Sequence, residues 1–438
     1  MQPLKISILG DYFDCQIYRG RLYLWTFNGD LKVYDWNSLV KSLIRKDTDK
    51  IALTFSFLDG NYLYKSALIE LFKDKDFKTL LLKKFKNLEK QTFELTEKKI
   101  RKFLIGEQTT PKGTIPTDTE IYSNKLYFIT DEGLFSGSVH RNKSEKYAVS
   151  SRPKKLWDCN LLSIKANKYP QLALSGGDEG LFELNMANNS PNNLKLIETQ
   201  KSIYQVSDNH SSFCNYSYIN IFNTSLIEDS FLATFKWDEN KNDNRNYQKW
   251  HRNFDQNIST NQLFKTDEEI NNRFNISWGI EDKIYRATPN GFEIIKFNNY
   301  ANEEEGEEKY KRLESLNLQA WKGQIINGGS AYFGNIIECE NALVVTLSNG
   351  KYLTIPGPIT KWRVYPRSLN YENHLHVIKD DKIDIFSFNQ DYFLEQEDKR
   401  IGIEFDKFKR VRKPTNSTTS FFADTNESIF NRGLDLPF

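Results

Sequence analysis

Short runs of alternating apolar and polar residues fill most of this chain, and glycine punctuates them. In "NKLYFITDEGLFSGSV" from Asn124 and "PQLALSGGDEGLFELN" from Pro170, an alternating run, a tight turn and a second alternating run follow one another. That order predicts a β-hairpin, because successive side chains of a strand point to opposite faces. The pentapeptide DEGLF is identical in both, at 131–135 and 178–182, which puts Gly133 and Gly180 where the turn asks for a positive φ. The frame recurs as "RLYLWTFNGDLKVYDW" around Gly29, "DKIYRATPNGFEIIKF" around Gly291 and "ALVVTLSNGKYLTIPG" around Gly350, each turning on Asn-Gly. "DSFLATFKWDE" (229–239) and "NHLHVIKDDKIDIFSF" (373–388) are weaker copies, the second turning on Asp380-Asp381. Seven hairpin units result, and "IALTFSFLDGNYLY" (51–64) offers an eighth, or an outer part of the first.

A lone hairpin is marginal in water, so each unit must bury its apolar faces against neighbours. The turns recur at intervals of roughly 50 residues once the weaker copies are counted, a period that belongs to propellers and solenoids. Radial blades satisfy the burial and leave only short edges. A pair of β-sandwiches is the alternative packing, and the regular spacing favours the ring. The expected fold is all-β: a β-propeller of seven blades, with eight as the alternative count, spanning residues 1–413. "RIGIEFDKFKRVRK" (400–413) is the candidate closing strand. The units resemble β-propeller repeats of known families. Residues 130–135 and 176–182 are similar to the core of bacterial sensor-regulator propellers, and "VYDW" at 33–36 falls where a WD-repeat carries its terminal strand. The Gly-His and Trp-Asp pairs of a WD-repeat are absent. The resemblance covers most of residues 10–390, implies the architecture and transfers no site residue.

Three segments depart from the repeat. Within 66–104, Leu68, Ile69, Phe72, Leu81, Leu82, Phe85 and Leu88 recur at three- and four-residue spacing, which predicts a helical insertion. Its lysines suit either a basic arm for a partner or a solvated outer face, and Glu89, Glu94 and Glu97 favour the second. The polar stretch 241–262 reads as an overlong loop whose Tyr247, Trp250 and Phe254 are candidate partner contacts, since aromatic residues dominate binding hot spots. Residues 414–438 form a tail, disordered or docked, in which Phe430, Leu436 and Phe438 are further candidate contacts.

Charge and chemistry add little that is positive. The chain of 438 residues carries a net charge of +2, which provides no overall field for nucleic acid or an anionic membrane. The most basic region combines Arg363 and Arg367 with Lys407, Lys409, Arg410, Arg412 and Lys413. Its alternation suits an exposed strand face more than a phosphate-binding cluster. The four cysteines, 14% aromatic content and absence of a long apolar run fit a cytoplasmic protein with reduced thiols. His374 and His376 share a strand face, a pair that fits a metal but lacks a third ligand. The acidic run 303–308 reads as a solvated loop. No nucleophile elbow, phosphate loop or dinucleotide fingerprint is present. No catalytic residue, metal or cofactor is therefore assigned. The sequence favours a protein-binding scaffold or sensor-like module, uncertain as an enzyme and leaning away from one. A propeller hydrolase or small-ligand-binding propeller is the first alternative and a nucleic-acid-associated subunit the second.

Overall fold

Because the repeat is a hairpin with one face to bury on either side, the blades stack around a common axis. The computed structural model describes residues 2–394 apart from 59–73, 110–114, 140–148, 151, 168–169, 187–197, 240–249, 266–274, 299–300, 302–305, 307, 318–319, 322 and 369. The chain opens with β1 (Leu4–Leu9), β2 (Tyr12–Tyr18), β3 (Arg21–Thr26) and β4 (Asp30–Asp35). An insertion follows: α1 (Trp36–Ser42), α2 (Asp47–Phe57), α3 (Lys75–Leu88), β5 (Phe93–Leu95) and α4 (Glu97–Ile100), before β6 (Leu104–Thr109). Then come β7 (Asp118–Tyr122), β8 (Lys125–Thr130), β9 (Gly133–Ser138), β10 (Lys154–Trp157), β11 (Ser163–Ala166), β12 (Gln171–Ser175), β13 (Leu181–Asn185) and β14 (Ile203–Ser207). Next are β15 (Phe213–Ser217), β16 (Asn220–Thr224), β17 (Phe231–Glu239), β18 (Trp250–Ser259), α5 (Thr260–Phe264), β19 (Ile276–Ile280), β20 (Lys283–Thr288), β21 (Gly291–Phe297) and β22 (Tyr310–Asn317). The last are β23 (Ile325–Ala331), β24 (Gly334–Cys339), β25 (Ala342–Leu347), β26 (Tyr352–Pro356), β27 (Lys361–Val364), β28 (His374–Lys379) and β29 (Lys382–Ser387).

These strands form seven sheets, antiparallel but for one pairing at an edge, six of them four-stranded and each of those built from consecutive strands, with the insertion interrupting only the first. The chain is a seven-bladed β-propeller. The first strands of successive blades adjoin one another, so β2, β7, β11, β15, β19, β23 and β27 line the axis. Turns between second and third strands, with the links to the next blade, define one face, called upper here. The remaining turns define the lower face.

The repeated glycine has a reason beyond its turn. At Gly133 (φ +122°) and Gly180 (φ +99°), an added Cβ would lie 2.1 Å and 2.2 Å from the carbonyl oxygens of Trp157 and Ser207, at the end of the outermost strand of the same blade. Only a residue without Cβ lets the third and fourth strands meet there.

Ring closure uses the amino-terminal strand. β1 pairs with β29 from Leu4↔Ser387 to Leu9↔Lys382, and β5 adds parallel to β1 as a fifth strand. The expected closing strand at 400–413 lies outside the described residues, as does the tail. The helices of the insertion cover this junction: Trp36, Leu39, Leu53, Phe57, Leu81 and Phe85 share one core with Ile6, Ile8, Ile383 and Ile385. Trp36 Nε1 donates to the Phe57 carbonyl at 2.5 Å.

Four expectations are corrected. The unit at 229–239 is one arm rather than a hairpin: Phe231–Glu239 is the single strand β17, which pairs with β16 across the turn at 225–230. Residues 51–57 belong to α2 rather than to an eighth hairpin: Ala52, Leu53, Ser56 and Phe57 are buried at helical spacing, with Asp47 and Asp49 at the helix start. A short apolar run does not by itself separate strand from helix. Asn349-Gly350 turns between the third and fourth strands of the sixth blade, whereas its middle hairpin turns at Glu340-Asn341. Of the segment 241–262, residues 241–249 lie outside the described residues, and from Trp250 the chain forms β18 and then α5 rather than a loop.

Candidate functional site

The residues singled out from the sequence do not converge. Tyr247, Phe430, Leu436 and Phe438 lie outside the described residues. Trp250 begins β18, opposite Glu239, and Phe254 follows on the same strand, opposite Phe235. The Phe254 ring meets Phe235 edge-on at 5.9 Å between centroids while remaining 44% exposed. Trp250 and Phe254 both belong to the outermost strand of the fourth blade. The same strand carries Arg252, which donates to the buried Glu183 carboxylate at 2.6 Å and to the Ile219 carbonyl, and so staples the third and fourth blades.

His374 and His376 do share a strand face, and that face is fully buried. His374 Nε2 donates to the Ser56 carbonyl at 2.7 Å, which leaves its Nδ1 to accept from His376 Nε2 at 3.5 Å. His376 Nδ1 then faces Tyr365 Oη at 3.3 Å and Cys15 Sγ at 3.4 Å. Every ring nitrogen is engaged, so neither histidine presents a lone pair to a metal. Burial lowers the His374 pKa to about 4 and takes His376 down as well, keeping both rings neutral. Among the described residues no group of three or more His, Cys, Asp or Glu is placed to hold a metal ion.

Charge gathers instead on the axis. Arg363 of β27 donates to both oxygens of Asp14 at 2.9 and 2.5 Å, to Asp118 Oδ1 at 2.7 Å and to the Thr119 carbonyl at 3.1 Å. One side chain of the last blade thereby holds the first and second blades. Lys361 adds contacts to Asp14 at 3.5 Å and Asp118 at 3.7 Å. Burial would push the Asp118 carboxyl up, but Arg363 and Lys361 hold it well below the usual carboxylate range. Glu120, next on that inner strand, is pushed up by burial against the pull of Lys165 and Arg363. At the lower end of the axis Arg367 reaches the carbonyls of Ala166 at 2.8 Å and Tyr216 at 2.9 Å, and its Nε stands 3.6 Å from Glu281. Arg363 and Arg367 are therefore interior straps rather than part of a basic surface. Lys407 to Lys413 lie outside the described residues. Sequence reasoning missed Asp14 and Asp118 because an isolated carboxylate at the start of an apolar strand looks like a turn residue.

The upper face is different in kind. Phe27 (48% exposed) is in the middle turn of the first blade, and Leu226 and Ile227 (69%) in that of the fourth. Ile115 and Leu162 are exposed in the links that precede the second and third blades. A groove of about 480 Å³ opens between the second and third blades.

No protein-family model matches the chain, and no curated protein matches it in sequence. Among solved structures it is similar to BBS1N in complex with ARL6DN, at 10% identity over 89% of this chain and 97% of that one, with a TM-score of 0.40. It is similar also to the Pan2 WD40 domain of Neurospora crassa, at 6% identity over 87% and 90%, TM-score 0.43. The computationally designed Ika8 protein overlaps at 8% identity over 89% and 100%, TM-score 0.41. The strand order, rather than these overlaps, carries the fold assignment. No helix among the described residues is long and apolar enough to cross a membrane.

Proposed function

We propose that this propeller is a protein-binding module of the cytoplasm, without a reaction of its own, and that it meets its partner with the upper face. The observation that carries this reading is the placement of Phe27, Ile115, Leu162, Leu226 and Ile227, each exposed, on turns and links of one face. Exposed apolar side chains gathered on a rigid scaffold suit recognition of another protein. The axis supports the same reading from the other side, since Arg363 and Arg367 bind it to the chain's own carboxylates and carbonyls.

The test is affinity capture from the native host with the full chain, its Leu226→Asp/Ile227→Asp variant, and a lower-face control, Tyr352→Asp. A partner retained by the wild type and the control but lost from the double variant is expected. Equal recovery by all three refutes upper-face binding.

A further inference from the structure

The groove between the second and third blades is lined by Trp157, Asp158, Cys159, Glu179, Phe182 and Gln205. Trp157 and Phe182 meet edge to face with centroids 4.5 Å apart and give it an aromatic wall. Both charged groups of the lining are carboxylates. Asp158 is paired with Lys155 at 3.0 Å, whereas the Glu179 carboxylate has no hydrogen bond or ion pair among the described residues. The Cys159 thiol registers this field: burial first, then Glu179 and Asp158, push its pKa up.

The two DEGLF copies supply an internal comparison. Phe135 and Phe182 are equivalent, and the residues opposite them on the outermost strands are Lys155 and Gln205. In the first copy the Lys155 ammonium lies over the Phe135 ring, 5.8 Å from its centroid. The second copy keeps the aromatic ring and the acidic turn but has an uncharged amide in place of the cation.

We propose that this groove receives one arginine side chain of the partner protein, the guanidinium lying against Trp157 and paired with Glu179. Arginine fits better than lysine because its planar, weakly hydrated group stacks on an aromatic wall while its fork reaches a carboxylate. This specificity rests on the interaction reading above, and its test needs no identified partner.

The full chain is labelled with 5-fluorotryptophan, and the Trp157 resonance is assigned among the eight tryptophans by Trp157→Phe. It is titrated with the peptide Gly-Ala-Arg-Ala-Gly and with its norleucine counterpart. The arginine peptide is expected to shift the Trp157 resonance saturably, and the norleucine peptide to leave it in place. Glu179→Gln should raise the dissociation constant about tenfold, the scale of one partly exposed charge and cation–π contact. Gln205→Lys, which restores the cation of the first copy, should abolish the shift. No shift, an equal shift with norleucine, or an unchanged titration in either variant overturns the assignment. Such a failure would leave a captured upper-face partner standing, whereas failure of the capture would not alter this titration.

Discussion

Arg363→Ala is the perturbation that most directly tests how the ring is held. The guanidinium is buried, and its donors are divided among Asp14, Asp118 and the Thr119 carbonyl, so its loss strands two buried carboxylates from different blades. Lys361 remains, at 3.5 and 3.7 Å, but its side chain is partly open to solvent and compensates in part. Breaking a buried pair from one side costs about 3–5 kcal/mol, a large share of the roughly 5–15 kcal/mol that stabilises a domain. Urea unfolding followed by tryptophan fluorescence should show the unfolding free energy falling by that amount, and the midpoint by that amount divided by the slope, at an unchanged slope. The companion variant removes all three charges together, as Asp14→Asn, Asp118→Asn and Arg363→Met. Because the penalty arises from uncompensated charge rather than from a missing contact, the triple variant should recover to within about 2 kcal/mol of the wild type. A loss under about 1 kcal/mol for Arg363→Ala, or a triple variant no better than the single one, refutes the reasoning.

Two further outcomes follow from the same geometry. The His374 pKa, lowered to about 4 in the fold against 6.5 unfolded, means that between those values the unfolded chain takes up a proton that the folded chain refuses. Stability should therefore fall as pH drops from about 6.5 to about 4, by on the order of 3 kcal/mol from this group. His376 acts in the same direction, and His374→Gln should flatten the slope of urea midpoint against pH, an unchanged slope sinking the attribution. Gly180→Ala and Gly350→Ala separate backbone strain from close approach: both sites have positive φ, but only at Gly180 does a Cβ meet a carbonyl, that of Ser207 at 2.2 Å. Gly350→Ala should cost about 1 kcal/mol and Gly180→Ala at least about 2, and equal urea midpoints would remove the packing argument.

The middle hairpins that turn at Gly29, Gly133, Gly180 and Gly291 were legible because they satisfy local rules: alternation on both arms and a glycine between them. What escaped was whatever the rest of the ring decides. Residues 51–57 look like a strand in isolation, and they become helix because Leu53 and Phe57 face the core that closes the ring. Residues 250–259 look like a polar loop, since an outermost strand such as β18 has one solvated side, and Phe254 there is an exposed strand residue. Closure by β1 joins residues nearly four hundred positions apart in sequence, as Leu4 against Ser387, and no local pattern announces such a partner. The axial straps were hidden for the same reason, as Arg363 reaches Asp14 and Asp118 only once the ring exists.

The division of labour between inner strands and turns explains why the repeats diverge where they do. Gly133 and Gly180 are fixed by the carbonyl of the outermost strand, and the apolar residues beside them by the neighbouring blade, so those positions stay alike in the two DEGLF copies. Lys155 and Gln205 occupy equivalent places opposite the shared ring, and Gln205 Nε2 donates to the Glu179 carbonyl at 3.0 Å. A change there alters the surface chemistry of one interblade groove while the strand register stays the same in both copies. In the two DEGLF copies identity marks what the turn and its packing require, and the differing residue opposite the shared ring marks where a blade is free to acquire a ligand of its own.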